Sequence, residues 1–283
     1  MSQNLSNINK IYVPFSAEEV NNLIKPDAKR LILFSCIREH SANVEANTFV
    51  YVSQLCKECD QLFFLTNDNR KVTSLDASKF DSKVTIIHVE NYLWDIGMYF
   101  RILCNLDILK FDRIALINDS CTILKPLEAV FEIAREQKYG FWGISESHEI
   151  KKHIQSYFLV VENTNGIMDL FSKFVYGLKQ EILNMPNLKQ QIILQVEIGL
   201  SQYFLNAQKP IDAIYKFDDV TSFQTSISER PAYMNPSYNF WDRMLEKGCP
   251  LLKKTRSHFA NERLFIDKFK EFPSSDFKRT KIL

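Results

Sequence analysis

Short apolar runs alternate along the chain with stretches in which apolar residues recur every three or four positions. The first pattern is typical of buried strands, and the second of helices that pack on one face. The apolar runs cover residues 31–36, 61–66, 84–89, 114–118, 141–145 and 157–162, and the helical stretches cover 44–59, 96–109 and 127–137. This alternation predicts an α/β fold in which a mostly parallel central sheet is covered by helices on both faces.

The second half of the chain has a more helical pattern than the first. Helical periodicity covers residues 168–184 and 188–207, on either side of Pro186, and a strand-like run follows at 211–217. A basic and aromatic stretch begins near residue 253. We therefore predict a polar lead-in over residues 1–28, a main domain over 29–252 with a helical C-terminal portion, and a tail over 253–283.

Composition narrows the choice of partner and compartment. The chain has 283 residues, with 35 lysines and arginines against 34 aspartates and glutamates. This balance argues against a nucleic-acid partner, because proteins that bind nucleic acid usually carry a basic excess. No apolar run reaches the roughly 18 residues that a membrane span needs, and the first ten residues lack the apolar core of a signal peptide. We therefore expect a cytoplasmic protein.

The six cysteines fit that compartment as free thiols. Cys56 and Cys59 form a C-x-x-C pair inside a helical stretch, and neither a second pair nor histidines at metal spacing follow it. We interpret the pair as two buried thiols rather than as a zinc or redox site.

Polar residues follow every predicted strand, and ligands of such sheets bind at the carboxyl ends of the strands. The sharpest group is Asn118-Asp119-Ser120, after the run at 114–118. Oxygen ligands there suit Mg²⁺ or Mn²⁺, which bind a carboxylate together with substrate phosphates. A metal that bridges a diphosphate would stabilise it as a leaving group. An Asx turn explains the same three residues without a metal.

A second candidate site begins at Asp95, a predicted N-cap for the helix that follows. Gly97 would lie in the first turn, where unpaired N–H groups favour an anion. Arg101 would lie one turn further along the same face. These three residues predict an anion site, and a capped helix with a surface arginine is the alternative.

Two further groups lie in the second half of the chain. His153, Gln155 and Ser156 lead into an apolar strand and would suit the hydroxyls of a sugar or an acceptor, although polar residues are also ordinary at a strand start. Glu197 shares a helical face with Leu200 and Phe204. A carboxylate on an apolar face is costly unless it is paired or used, so a catalytic role and a buried salt bridge both remain open.

Taken in order, these segments resemble the rhamnan synthesis protein F family of polysaccharide glycosyltransferases. The matching pieces are residues 33–41, 95–99, 117–121, 141–144, 153–159, 197–201 and 235–242, together with Gly248. Each piece is short, and it is their ordered combination over most of residues 31–254 that carries the resemblance.

The resemblance implies a GT-A-like fold with a Rossmann-type half that holds a nucleotide-sugar, at about 29–145, and an acceptor half at about 146–252. It implies transfer of a sugar, rhamnose in the namesake members, to a polysaccharide or lipid-linked glycan acceptor during the assembly of rhamnan, capsule or lipopolysaccharide. Ser35, Arg38 and Glu39, at the end of the first strand, then join the predicted substrate-binding residues with Lys253.

In this family likeness, Asn118-Asp119-Ser120 is the counterpart of an acidic D-x-D metal site in which only the central position is acidic. Asp119 would bind Mn²⁺ or Mg²⁺ with the substrate phosphates, or with a later ligand such as His258. An inverting transfer needs one general base, for which Glu197 is the first candidate, with Asp242 and Glu146 behind it. Lys253, Lys254 and Arg256 follow the last matching piece and would neutralise the diphosphate, unless they belong to a solvated basic tail.

Two alternatives stay open at this point. The lone acid in Asn118-Asp119-Ser120 would also fit a non-catalytic nucleotide-sugar-binding partner in a polysaccharide assembly complex. The tail combines basic residues with Phe265, Phe269 and Phe272, which predicts a peripheral contact with the inner face of the cytoplasmic membrane. A tail helix packed on the main domain would explain the same pattern.

Overall fold

The computed structural model describes residues 8–9, 16–37, 44–67, 78–89, 93–184, 189–221, 235–256 and 266–272. Within these ranges the strands are β1 Ile8–Asn9, β2 Arg30–Cys36, β3 Gln61–Thr66, β4 Val84–His88, β5 Arg113–Asn118, β6 Cys121–Ile123, β7 Phe141–Ser147, β8 His153–Ile154, β9 Phe158–Glu162, β10 Asp212–Tyr215 and β11 Leu251–Lys253. Each strand predicted from an apolar run is present, with ends that differ by no more than two residues.

The main sheet has the strand order β1-β4-β3-β2-β5-β9-β7-β10, and β8 pairs with β7. The pairs β1–β4, β4–β3, β3–β2, β2–β5 and β7–β10 are parallel. Strand β9 runs antiparallel to both of its neighbours, β5 and β7. Every residue of β3 and β5 is buried, as expected for strands that are covered on both faces. The predicted α/β fold with a mostly parallel sheet is therefore confirmed.

The helices lie on the two faces of this sheet. They are α1 Ala17–Asn22, α2 Ala46–Cys56, α3 Trp94–Leu103, α4 Glu128–Glu136, α5 Ile167–Asn184, α6 Lys189–Ile192, α7 Gly199–Asn206, α8 Phe217–Thr221, α9 Pro236–Asn239 and α10 Trp241–Glu246, with a 3₁₀ turn at Ile108–Lys110 and a π-helical segment at Ile193–Ile198. Side chains alternate across β2, so Leu31 and Leu33 enter one core cluster while Ile32 and Phe34 enter the other.

The helix predicted over residues 96–109 ends earlier, at Leu103. The Asn105 side chain donates to the Arg101 carbonyl at 3.1 Å, and the Asn105 carbonyl accepts from the Asn21 side chain at 3.0 Å. These bonds take backbone acceptors that a further helical turn would need. The chain therefore leaves the helix and forms the separate 3₁₀ turn.

The antiparallel pairings decide which distant segments meet. Pairing of β9 with β5 lets the Asn118 N–H donate to the Tyr157 carbonyl at 3.2 Å. Pairing of β11 with β6 sets Lys253 opposite Cys121. The segments at 121 and 253 thus lie side by side beyond the end of β5, although more than 100 residues separate them in sequence.

The described part of the tail packs on the main domain. Ile266 is buried, and Phe269 and Phe272 pack against the core cluster that contains Phe34. The Glu271 N–H donates to the Leu124 carbonyl at 2.8 Å. The apolar side chains at 269 and 272 therefore face the protein, and Phe265 lies outside the described residues. Nowhere in the described ranges is a helix both long enough and apolar enough to cross a membrane.

All six cysteines are buried free thiols. Cys56 and Cys59 are 4% and 0% exposed, and hydrogen bonding to Cys56 together with burial raises the pKa of the Cys59 thiol far above its usual range. The interpretation of this pair as buried thiols is confirmed.

Candidate functional site

The carboxyl ends of β2 and β5 meet the start of α3, and Asp95 lies at their junction. Its carboxylate accepts from the Ser35 hydroxyl at 3.0 Å and from the Asn118 side-chain amide at 2.6 Å. The sequence prediction that Asp95 caps α3 is wrong, because the N-cap is Leu93 and it makes no side-chain capping bond. The carboxylate that could have capped the helix instead ties the helix to the sheet.

The backbone before Asp95 has an unusual conformation. Leu93 and Trp94 have φ angles of 62° and 52°, in the left-handed region that bulky residues avoid. Such strain persists where the surroundings fix the conformation. Here the Leu93 side chain is buried, and Asp95 is held by its two hydrogen bonds. Trp94 lies between these anchors and is 36% exposed.

Burial is the main cause of the altered acidity of Asp95. It raises the pKa of this carboxyl to about 6, and the nearby negative charge of Asp119 adds to the rise. The hydrogen bonds from Ser35 and Asn118 oppose it. The site thus holds two carboxylates that interact electrostatically beyond the ends of neighbouring strands.

Asp119 is the second of these carboxylates. Its backbone N–H donates to the Ser35 carbonyl at 3.0 Å, and its Oδ2 accepts from the Cys36 thiol at 3.4 Å. Burial raises the pKa of Asp119, and the ammonium of Lys254 opposes the rise. The Asp119 side chain is still 22% exposed, so it remains within reach of a ligand.

Two consecutive lysines at the end of β11 bring positive charge to this pair of carboxylates. Lys253 Nζ donates to the Ser120 hydroxyl at 3.0 Å and lies 4.2 Å from the centroid of the Tyr157 ring. Lys254 Nζ lies 3.3 Å from Asp119 Oδ2 and 3.0 Å from Glu45 Oε2. An anion that approaches Asp119 from solvent would therefore meet two ammonium groups.

Of the residues predicted to bind substrate or metal, six share this junction. They are Ser35, Asp95, Asn118, Asp119, Lys253 and Lys254. We name this group, together with Glu45, the strand-end site. Arg38, Glu39 and His258 lie outside the described residues. Within the described ranges, no group of three or more His, Cys, Asp or Glu side chains could hold a metal ion.

The predicted anion contact at Gly97 needs a correction. Because α3 begins at Trp94, the Gly97 N–H already donates to the Leu93 carbonyl at 3.1 Å. It is therefore not one of the unpaired N–H groups of the helix start. Arg101 lies partly buried one turn further along α3, and its contact with an anion stays a prediction.

Glu197 lies close to the strand-end site through the pairing of β9. Its Oε1 accepts from the Ser156 N–H at 2.9 Å, and Ser156 is adjacent to Tyr157, whose carbonyl binds Asn118. His153 Nε2 is 3.9 Å from the same oxygen, and His153 Nδ1 is 2.8 Å from the Lys151 carbonyl. No lysine or arginine of the described ranges pairs with Glu197, whose side chain is 17% exposed.

The helix that carries Glu197 is π-helical at this point, over Ile193–Ile198. Such segments occur frequently at functional sites, because the extra residue per turn changes where side chains are directed. Downstream, the Ser201 hydroxyl accepts from the Ile154 N–H at 3.0 Å. The π-helical segment and α7 thus hold the 153–156 segment by two side chains.

Gln155 joins three segments inside the protein. Its Oε1 accepts from the Ser145 and Ser237 hydroxyls, both at 2.5 Å, and its Nε2 donates to the Asn235 side chain at 2.7 Å. Gln155 is 4% exposed. Its observed contacts connect β7 to α9, and its predicted contact with substrate stays a prediction.

A small cavity lies beside this network. Its lining consists of Cys121, Tyr157, Ser237, Trp241, Met244, Leu251, Leu252 and Lys253. Asp242 lies next to Trp241 in the first turn of α10 and is partly exposed. Asp242 therefore belongs to the segment around this cavity, whereas Glu197 belongs to the helix behind β8.

Sequence reasoning missed Glu45 as part of the strand-end site. It precedes α2 in sequence without forming a side-chain cap, and its carboxylate binds Lys254, 209 positions away. No local pattern distinguishes Glu45 from an ordinary exposed acid at a helix start, since its partner is supplied by the β11–β6 pairing.

The chain is similar to known proteins in family and in sequence. The family model described as rhamnan synthesis protein F matches residues 62–273. Virulence protein VirA of Vibrio anguillarum (strain ATCC 68554 / 775) is 24% identical over 224 residues, a match that covers 71% of this chain and 64% of VirA. The chain therefore spans less than two thirds of the length of that relative.

Solved structures with a similar arrangement are more distant. The glycosyltransferase GlyE of Streptococcus pneumoniae TIGR4 has a TM-score of 0.42 at 12% identity, covering 91% of this chain and 66% of that chain. The 4-diphosphocytidyl-2C-methyl-D-erythritol synthase of Anaerococcus prevotii DSM 20548 has a TM-score of 0.41 at 10% identity, covering 66% of this chain and 86% of that chain.

Proposed function

The chain belongs to the rhamnan synthesis protein F family, and from this premise we propose that it is a glycosyltransferase of GT-A-like fold. In this proposal it moves a sugar, rhamnose in the first instance, from a nucleotide-sugar donor to a polysaccharide or lipid-linked glycan acceptor. The product would be a bacterial surface polysaccharide or lipopolysaccharide. The observation that carries the proposal is the strand-end site, where carboxylates and lysines meet at the carboxyl ends of parallel strands.

The lysines suit the donor diphosphate. Lys253 and Lys254 place two ammonium groups beyond the end of β5, where ligands of open α/β sheets bind. Positive charge there would stabilise the negative charge that develops on the departing nucleoside diphosphate. Ser35 and Asn118 hold Asp95 at the edge of the same space.

Asp119 also fits a divalent cation. It presents a partly exposed carboxylate that already pairs with a cation, the ammonium of Lys254. Mg²⁺ is usually bound by one or two carboxylates together with substrate phosphates, so one protein carboxylate and a diphosphate are a sufficient donor set. Mn²⁺ or Mg²⁺, when bound, would neutralise the diphosphate as a leaving group. Asp119 would hold it, with His258 as the proposed later ligand.

We assign the general base to Glu197. An inverting transfer needs a base within hydrogen-bond reach of the acceptor hydroxyl. Glu197 Oε1 is fixed by the Ser156 N–H, and no lysine or arginine of the described ranges neutralises the carboxylate. His153 would assist in positioning the acceptor. Asp242, which follows the cavity-lining residue Trp241, is the second candidate.

A panel of nucleotide-sugars tests this function. Purified protein would be mixed with Mn²⁺ and donors such as dTDP-rhamnose and UDP-glucose, and release of nucleoside diphosphate would be followed with and without glycan acceptors. We expect one donor to raise the melting temperature and to be turned over by the wild-type protein, and Asp119→Ala to remove metal-dependent turnover. Tight binding of a donor without any turnover would instead support a non-catalytic binding partner.

We further propose that the protein works in the cytoplasm, at the inner face of the membrane. The aromatic side chains at 269 and 272 pack on the main domain, so the proposed contact rests on the basic residues of the tail and on anionic lipid headgroups. Co-sedimentation with anionic vesicles at low and high salt tests it, with binding at low salt as the expected result.

A further inference from the structure

Lys254 contacts the carboxylate that would hold the metal ion of the proposed function. Its ammonium lies 3.3 Å from Asp119 Oδ2, and the Lys254 side chain is 23% exposed. The same ammonium lies 3.0 Å from Glu45 Oε2, and the Glu45 side chain is 66% exposed. The strand-end site thus contains its own cation, shared between an inner and an outer carboxylate.

The backbone of Lys254 is held by hydrogen bonding, whereas its side chain has a second carboxylate, that of Glu45, within reach. The Lys254 N–H donates to the Ser120 carbonyl at 2.9 Å, and the preceding residue belongs to the β11–β6 pair. Glu45 would still be a carboxylate partner for the ammonium after the lysine left Asp119. A lysine side chain has several rotatable bonds and three donors, so it can turn from one acceptor to another without movement of the backbone.

A largely buried carboxylate such as that of Asp119 needs a positive partner, which can be an ammonium or a metal ion. Burial raises the pKa of Asp119 and Lys254 lowers it, so removal of the ammonium without replacement would leave a costly unpaired charge. In such an exchange the lysine loses Asp119 and keeps Glu45, so a divalent cation would replace the ammonium more readily when the lysine gains a further acceptor. The phosphates of a nucleoside diphosphate would be such an acceptor.

We propose that Lys254 is a resident counter-ion of Asp119 that moves onto the diphosphate of the donor and thereby frees the carboxylate for the divalent cation. The proposal rests on the proposed function. Its consequence is that metal and nucleotide bind cooperatively. Metal alone must displace the ammonium, whereas metal with nucleotide meets a carboxylate that the lysine has already left. Because binding free energies are linked, each ligand must strengthen the other by the same factor.

Titration calorimetry of the full chain tests the exchange. Mn²⁺ would be titrated alone and at saturating uridine or thymidine diphosphate, and each nucleotide would be titrated with and without Mn²⁺. For the wild-type protein we expect the nucleotide to raise Mn²⁺ affinity by a factor of about 10 or more, within the usual range of coupling between sites. We expect Lys254→Met to bind Mn²⁺ alone more tightly, to bind nucleotide alone more weakly, and to lose most of the coupling.

The coupling is the decisive readout. A lysine that merely repelled the metal would, when removed, raise Mn²⁺ affinity equally with and without nucleotide and leave the coupling unchanged. That result would overturn the proposal. Lys125→Met is the matched control, because the Lys125 side chain is also 23% exposed and pairs with an acid, Glu271, at 3.8 Å. It should keep the wild-type coupling.

If Lys254→Met does not fold, Lys254→Gln keeps a hydrogen-bond donor without the charge, and the same loss of coupling is expected of it. If the wild-type protein binds neither nucleotide in the presence of Mn²⁺, the proposed function fails and this inference fails with it. Wild-type cooperativity that survives in both Lys254 variants would refute the exchange alone.

Discussion

At the residue scale, the proposed role of Glu197 depends on its carboxylate alone. Its Oε1 is 2.9 Å from the Ser156 nitrogen, and a glutamine at this position could accept the same hydrogen bond. Glu197→Gln should therefore keep the fold and donor binding. It should lower turnover by about 10²–10⁴-fold, the usual effect of losing a positioned base. Steady-state rates and melting temperatures measured on the same variant check both expectations.

Asp242→Asn is the control for this prediction. It removes a carboxylate from the segment beside the cavity and leaves the Ser156–Glu197 bond in place. Turnover that is unaffected by Glu197→Gln but abolished by Asp242→Asn would transfer the base assignment to Asp242.

The acidity of Asp95 predicts a measurable pH dependence of stability. Its pKa is raised from 3.8 to about 6, chiefly by burial, so between these values the folded protein holds a proton that the unfolded chain releases. The stabilisation from this group is therefore full below pH 4 and is lost as the pH rises through 6. The loss amounts to about 3 kcal/mol in the free energy of unfolding.

Asp95→Asn cannot titrate, so denaturant unfolding at several pH values isolates this effect. The stability of the variant relative to the wild type should improve steadily from pH 4 to pH 7. Asp60→Asn is a control of opposite sign. The Arg30 side chain and backbone N–H groups lower the pKa of Asp60 to about 2, so that its stabilisation is lost only in more acidic solution. A constant difference between wild type and Asp95→Asn would contradict the predicted pKa shift.

At the scale of the element, Gly143 allows β8 and β9 to pack closely against β7. A Cβ at this position would lie 2.4 Å from the Ile154 Cγ2 atom and 2.4 Å from the Phe158 carbonyl oxygen. Gly143→Ala should therefore destabilise the protein by about 1–3 kcal/mol, as overpacking of a core does. Equilibrium unfolding measures the change, and loss of the β7–β8 contact should lower activity as well.

Gly177→Ala is the matched control on a helix. Gly177 lies within α5, where an added Cβ would meet no atom within 4 Å. Because alanine is the better helix former, this variant should gain about 0.5–1 kcal/mol. Equal effects of the two substitutions would mean that the close contact at β7 is relieved by adjustment of the strand.

At the scale of the whole molecule, contacts with the main domain determine where the tail lies. Phe269 packs on the core cluster and lies 5.7 Å from Lys125 Nζ, while the Glu271 N–H binds Leu124. Phe269→Ala should therefore lower the melting temperature, because a partly buried aromatic contact is lost. Binding to anionic vesicles should stay unchanged at low salt. If Phe269→Ala weakened vesicle binding and left stability unchanged, Phe269 would instead be assigned to the membrane contact.

The sequence by itself determined where most strands of the main sheet lie and that most of them are parallel. Runs such as Gln61–Thr66 are apolar at every position between their two ends, and a strand that is apolar on both faces fits a sheet covered on both sides. The rule that ligands bind at the carboxyl ends of parallel strands then selected Asn118 and Asp119 as candidate site residues. The strand predictions succeed because period and length are properties of a local segment.

Only the tertiary structure decided the partners within the site. Asp95 has the local signature of an N-cap, yet hydrogen bonds to Ser35 and Asn118 outweigh that preference and turn it toward the sheet. Lys254 and Glu45 show no local sign of belonging to the same site, since the β11–β6 pairing joins them. A residue's own neighbours in sequence fix its secondary structure, whereas the pairing of distant strands fixes which charges meet, and that pairing depends on the energy of the whole fold.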